Sequence, residues 1–180
     1  MEILNFWPIL IQTKCLPCVD YIMKHTLFVL FLLRYTWGLQ AQTVPVWKFA
    51  QLQKAMLPAD DTVKVINFWA TWCSPCVAEL PGFVQEAKVR AGQKVKFYFV
   101  SLDFKKDFKD KLIPFLKRMP LPGTVALLDE TDYNAWLPKV SPEWQGNIPA
   151  TLFVLGSKRY IKPVEISRNE LGTQIDALGK

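Results

Sequence analysis

Only one histidine, His25, occurs in the 180 residues, and neither a histidine nor a cysteine follows residue 76. Structural zinc needs four ligands, so the body of the chain holds no zinc site of the Cys/His kind. Long apolar runs are lacking too. The best candidate, residues 26–33, falls well short of the ~20 residues that cross a bilayer, and Arg34 interrupts it. There are no repeats, no low-complexity tract and no sign of a second domain. The net charge of +6 arises from lysines scattered among Asp and Glu. Without a basic stripe and interleaved aromatics, it describes a solvated surface rather than a nucleic-acid reader.

What is present suits one packed domain: 51% of the residues are hydrophobic and 21% charged. Before it comes a stretch that does not read as fold. Met23, Lys24 and His25 form a short basic head, residues 26–33 an apolar core, and Gly38, Leu39, Gln40 and Ala41 a region suited to cleavage. These are the three zones of a secretory signal peptide. The expectation is a leader over residues 1–41 and a domain over residues 42–180, with an uncleaved anchor as the alternative. A signal peptide begins its protein, so Met23 is the expected start and residues 1–22 belong to an over-extended reading frame. No cysteine follows the apolar core, so lipid attachment there is not expected. Cys15 and Cys18 form a CxxC in that doubtful region. With His25 they offer only three metal ligands and carry no strand-to-helix flanks, so no function is assigned to them.

A second CxxC has a different setting. The β-branched run at residues 63–68 leads into Trp69-Ala70-Thr71-Trp72-Cys73-Ser74-Pro75-Cys76, and Val77, Leu80, Phe83, Val84 and Ala87 follow at helical spacing. The cysteines therefore sit where a buried strand turns into a helix. Cys73 falls at or just before the first helical residue, and Pro75 lies in the first turn, where a missing N–H costs nothing. Unpaired amides and the helix dipole favour a thiolate at Cys73. Cys76, one turn further in, is placed to attack a mixed disulfide on Cys73. Half a zinc site, a structural disulfide closing a very short loop, and a pair of idle cysteines are the competing readings.

Around the motif, residues 47–56 read as a short helix ended by Pro58, and residues 59–62 as a turn. Residues 63–68 form a central strand covered on both faces. Ser74–Val89 reads as a helix kinked at Pro81, and residues 95–102 as a strand. Together these make a parallel right-handed βαβ unit with the cysteines at the carboxyl end of its first strand. Residues 104–119 have helical spacing, with Pro114 either kinking that helix or starting its second half. A strand over residues 124–128 and a helical turn over residues 133–137 follow, with Trp136 and Trp144 as core aromatics. A strand over residues 150–155 precedes an antiparallel return over residues 160–166. Ser167 and Glu170 fit a capping box opening a last helix, with Leu171, Ile175 and Leu178 on one face.

Phe68 to Cys76, Pro81 five residues beyond, and Ile148-Pro149-Ala150-Thr151 later together resemble the thioredoxin superfamily. Asn67 before the motif and Glu79-Leu80-Pro81 after it are similar to the TlpA-like and ResA-like disulfide reductases of bacterial envelopes. The similarity covers residues 46–178. It implies an α/β, thioredoxin-like fold, a central mixed β-sheet flanked by helices in a single domain. It also implies an exported thiol–disulfide oxidoreductase acting as a protein-disulfide reductase.

On that resemblance Cys73 is the attacking thiolate, Cys76 the resolving thiol, and Trp72 flanks the nucleophile. Ile148 and Pro149 form a cis-proline loop that packs against the cysteines and pairs with substrate backbone. The position beneath the second cysteine, commonly an acid, is the neutral Asn67. Glu79 lies buried between the helix and the Pro149 loop, with a raised pKa, and exchanges protons with Cys76; a solvated helix carboxylate is the competing reading. No prosthetic group or metal is implied. Electrons come from a membrane thiol donor, and the substrates include apocytochrome c and other disulfide-containing envelope proteins, met by a monomer. A redox-inactive adaptor, or a disulfide oxidase or isomerase with the same site, is the alternative. A copper-delivery protein would need a histidine in the body of the chain.

Overall fold

Seven consecutive buried residues, rich in β-branched and aromatic side chains, make Val63–Trp69 the centre of the sheet. The computed structural model describes residues 43–56 and 60–179. The expected leader with its cleavage point, Met23, His25, Cys15 and Cys18, and Pro58 at the end of the first helix all lie outside them. In chain order the elements are β1 (Val46–Trp47), α1 (Phe49–Met56), β2 (Val63–Trp69), α2 (Ser74–Val89), β3 (Val95–Ser101), α3 (Ile113–Arg118), β4 (Thr124–Leu128), α4 (Tyr133–Val140), β5 (Ala150–Leu155), β6 (Lys158–Lys162) and α5 (Arg168–Leu178).

The six strands form one mixed sheet in the order β1-β4-β3-β2-β5-β6. β2 runs parallel to β3 and antiparallel to β5. The pleat sends alternate residues of β2 to opposite faces. Val63, Val65 and Trp69 pack with Leu80 and Phe83 of α2 and with Leu171 and Ile175 of α5. Ile66 and Phe68 pack with Leu52 and Met56 of α1 and with Trp136, Leu137 and Val140 of α4. Trp144 joins that second cluster, its ring 4.5 Å from Phe68 and 5.7 Å from Trp136, so both tryptophans are core residues.

Three elements differ from the sequence expectation. Trp47 belongs to a strand rather than to the first helix. The Pro45 and Trp47 carbonyls accept from the Leu127 and Asp129 amides at 3.0 and 2.8 Å, tying residues 45–47 to β4 as a parallel edge. Residues 104–119 do not form one helix. A 3₁₀ turn (Lys105–Asp107) and a π-helical turn (Phe108–Leu112) precede α3, whose first turn contains Pro114. A proline there can neither donate to the carbonyl four residues back nor leave room for it, and the wider π turn absorbs the mismatch. The return strand starts at Lys158 rather than residue 160 and ends at Lys162. Gly156, at φ 58°, opens a two-residue hairpin turn with Ser157, and Pro163 closes the strand. The helix α2 runs unbroken through Pro81.

Ser167 caps α5, its hydroxyl oxygen accepting from the Glu170 amide at 3.3 Å. Replacing Ser167 with alanine is expected to cost about 1 kcal/mol, and Ser167→Gly only a few tenths. Urea unfolding of the two variants beside the parent checks both the loss and its order.

Candidate active site

The site grows from the carboxyl end of β2. The Trp69 carbonyl accepts from the Leu102 amide at 2.7 Å, and the chain then turns through Thr71 and Trp72, with the Cys73 amide donating to the Ala70 carbonyl at 3.1 Å. Cys73 is the N-cap of α2, in extended conformation, and its Sγ accepts from the Cys76 amide at 3.4 Å. Pro75 occupies the first turn, which contains no acidic residue to offset the positive end of the helix. Cys73 and Cys76 form a disulfide with their Cα atoms 5.3 Å apart. The two residues differ in access: Cys73 is 6% exposed and Cys76 fully buried. Trp72, beside the accessible cysteine, is 55% exposed.

β5 brings in the second component. Phe68 pairs with Ala150 and Asn67 with Thr151, so the antiparallel register sets Pro149 level with Trp69, at the end of β2 that leads to the cysteines. The Ile148–Pro149 peptide is cis. Pro149 is buried, while Ile148 is half-buried and packs against both core clusters.

Glu79 lies on α2, one turn beyond Cys76, and is 5% exposed. Its Oε1 accepts from Asn67 Nδ2 at 2.7 Å and its Oε2 from the Ile166 amide at 2.9 Å. Burial pushes its pKa up to about 7; the Ile166 and Asn67 hydrogen bonds pull the other way, and the Glu165 charge adds to the rise. The carboxylate is thus held between β2 and the segment before α5. The sequence expectation set it between the helix and the Pro149 loop; its hydrogen-bond partners come from Asn67 of β2 and from Ile166. Asn67 is fully buried, and its Nδ2 also reaches Thr151 Oγ1 at 3.4 Å.

The structure therefore gathers Trp72, Cys73, Cys76, Asn67, Glu79 and Pro149 around one end of β2. It adds a group that the sequence reading passed over. Asp103, 3% exposed, follows β3 and reaches across to the turn before Cys73. It accepts from the Thr71 amide at 3.1 and 3.2 Å and from the Thr71 hydroxyl at 2.6 Å. The Ser101 hydroxyl donates to its other oxygen at 2.7 Å. A lone acid after a strand reads as a surface turn. The signal that could have found it is its place at the carboxyl end of the strand next to the one carrying the motif.

Comparison with known proteins gives the same outline. The model of the AhpC/TSA family matches residues 41–162. A thioredoxin of Malassezia sympodialis is 51% identical over 43 residues, which are 24% of this chain and 41% of that protein. The chain thus matches less than half the length of that relative. A thioredoxin-family thiol:disulfide interchange protein from Chlorobium tepidum TLS superposes with a TM-score of 0.57 at 16% identity, covering 79% of this chain and 100% of that one. The structure of MTB dsbF in its mixed oxidized and reduced forms superposes with a TM-score of 0.52 at 27% identity, covering 76% of this chain and 99% of the other. The mixed sheet between helices is a thioredoxin fold.

Proposed function

We propose, from the premise that this chain belongs to the AhpC/TSA family, that it is an exported thiol–disulfide oxidoreductase working as a protein-disulfide reductase. The observation that carries the reading is the unequal placement of the two sulfurs, Cys73 at the accessible N-cap of α2 and Cys76 wholly buried one turn in. In the reduced protein the Cys73 thiolate attacks a client sulfur, the client disulfide breaks, and one client thiolate leaves. The Cys76 thiolate then attacks Cys73 Sγ, the mixed disulfide breaks, and the second client thiol is released as the Cys73–Cys76 disulfide forms. Two electrons pass to the client, and a thiol donor at the membrane restores the dithiol.

Glu79, with a pKa of about 7, takes the proton that Cys76 must lose and returns it on reduction. Trp72 and the Ile148–Pro149 loop border the groove that receives the client backbone. Export rests on the leader's three zones, and the clients are disulfide-containing envelope proteins, apocytochrome c among them, by resemblance.

The reduction potential of the Cys73–Cys76 pair tests the direction. A reductase is expected to lie near the thioredoxin end of the range, about −270 mV, and a value near −120 mV would make the protein an oxidase. Mass spectrometry of the cell-envelope fraction tests export: the mature chain is expected to begin near Gln42. Retention of residues 23–41 would mean an anchor, and residence in the cytoplasm would remove the assignment.

A further inference from the structure

The attack of Cys76 on a mixed disulfide at Cys73 is an intramolecular step, and its rate depends on how well the two sulfurs are held in line. One side of that geometry is fixed by packing. Cys76 is fully buried, and Leu80 and Phe83 on the same helix lie in the core beneath it. The other side is a turn, residues 70–73, whose ends Ala70 and Cys73 are buried in the core while Trp72 between them is exposed. Besides the Cys73 carbonyl and Sγ, which accept from the Val77 and Cys76 amides of α2, two sets of hydrogen bonds hold it. One is the Cys73 amide on the Ala70 carbonyl. The other is the grip of Asp103 on both the amide and the hydroxyl of Thr71.

Asp103 is itself held. The Ser101 hydroxyl donates to Oδ2 at 2.7 Å while the Asp103 amide donates to Ser101 Oγ at 3.1 Å. Ser101 is the last residue of β3 and stands in register with Trp69, the last residue of β2. The carboxylate therefore bridges from the end of one parallel strand to the turn that leaves the end of its neighbour. Its hydrogen bonds are charge-assisted, each roughly twice as strong as a neutral one, and they are shielded from water.

We propose that Asp103 is a positioning residue for the second half of disulfide exchange. By clamping Thr71 to the end of β3, it keeps the cysteine turn in its ring-closing arrangement while Cys73 is reduced or engaged in a mixed disulfide. The inference rests on Cys73 and Cys76 exchanging disulfides, and it concerns the closing step alone. In that step the Cys76 thiolate attacks Cys73 Sγ, the bond from Cys73 to the incoming thiol breaks, and that thiol leaves as thiolate.

The experiment uses glutathione disulfide as the oxidant. The reduced domain is mixed with it, samples are acid-quenched, and the Cys73–glutathione adduct and the closed disulfide are followed by mass spectrometry. This separates attack by Cys73 from closure by Cys76. For Asp103→Ala, closure is expected to slow at least tenfold relative to attack. The equilibrium constant for disulfide formation against glutathione should fall about tenfold, a rise of about 30 mV in potential.

Asp103→Asn keeps the shape and one acceptor oxygen and should stay within about threefold of the parent in both measurements. Ser101→Ala loosens the carboxylate without touching the turn, and should slow closure about threefold. It decides the matter if Asp103→Ala does not fold. Closure and equilibrium unchanged within twofold in folded Asp103→Ala, or unchanged closure in Ser101→Ala, would overturn the proposal. The glutathione equilibrium is measurable whether or not any client is reduced, so failure of the reductase reading leaves this test standing.

Discussion

Cys73→Ser is expected to abolish disulfide exchange, on the order of 10³-fold or more, the scale on which loss of a nucleophile acts. Cys76→Ser should instead turn the protein into a trap. The difference follows from access and position. Cys73 keeps 6% of its surface exposed and its Sγ accepts from the Cys76 amide at the start of α2, where a thiolate is favoured, so it is the one expected to bond the client. Cys76 is fully buried in the core cluster and meets only a sulfur already bound to Cys73. Without Cys76 the mixed disulfide has no internal thiol to release it. Non-reducing gels of the two variants, after mixing with reducible clients, should show adducts with Cys76→Ser and none with Cys73→Ser. Equal trapping by both, or by neither, would remove the assigned roles. A serine hydroxyl buried at position 76 without a partner costs about 1–3 kcal/mol, so the trap variant should be checked for folding first.

The second large effect belongs to Glu79, and it reaches stability as well as rate. Its folded pKa is about 7 against an ordinary value of 4.5. Below the ordinary value both the folded and the unfolded chain carry the proton. Between the two values the folded protein keeps a proton that the unfolded chain has given up. Stability contributed by the neutral carboxyl is therefore full below about pH 4.5 and is lost as pH rises through about 7. The span corresponds to a loss of about 3 kcal/mol. Glu79→Gln should flatten that slope and leave the variant more stable than the parent at pH 8, by about 1–3 kcal/mol. The buried Asn67 Oδ1, which has no hydrogen-bond partner among the described residues, can accept from the new amide, although one of the two donors now serving Glu79 loses its acceptor.

The same variant should exchange disulfides several-fold more slowly near neutral pH, because the proton reservoir beside Cys76 is gone. It should also show a lower thiol pKa, because a negative charge beneath the cysteines is gone. Denaturant midpoints at pH 5 and pH 8, together with a pH–rate profile, measure all three. Parallel stability curves and overlapping rate profiles would mean that Glu79 neither carries the charge penalty nor moves the proton.

The elements around the cysteines were legible because local pattern and global fold agree there. A β-branched run, a CxxC with Pro75, and a helical apolar spacing each point to the same strand–turn–helix, and α2 spans the expected residues. Trp136 and Trp144 were readable as core because large aromatics between breakers have few other places to go. What was hidden depends on residues far apart in sequence. β1 has two residues, too few for any period, and exists only because β4 offers its edge. The π turn before α3 is a compromise between apolar spacing and Pro114, and spacing alone shows one continuous helix. Asp103 carries no motif; its meaning comes from Thr71, more than thirty residues earlier, and only the parallel register of β2 and β3 brings them together. The Ile166 amide on Glu79 is of the same kind, an ordinary backbone group made specific by where α5 begins.

The strand order also has a consequence for a chain made from one end to the other. β2, α2 and β3 are synthesised in succession and pair with one another, so the dithiol can acquire its strand, its helix N-terminus and the Asp103 clamp early. The Ile148–Pro149 segment cannot follow until β5 has emerged and inserted beside β2, and the Ile166 amide reaches Glu79 later still. The strand–turn–helix that carries Cys73 and Cys76 is thus complete before the Pro149 segment and before the Ile166 amide that holds Glu79. During that interval Cys73 already stands at its helix N-terminus, on a sheet that still lacks β5. The assembled site therefore waits for the last third of the chain, where β5 and the segment before α5 lie.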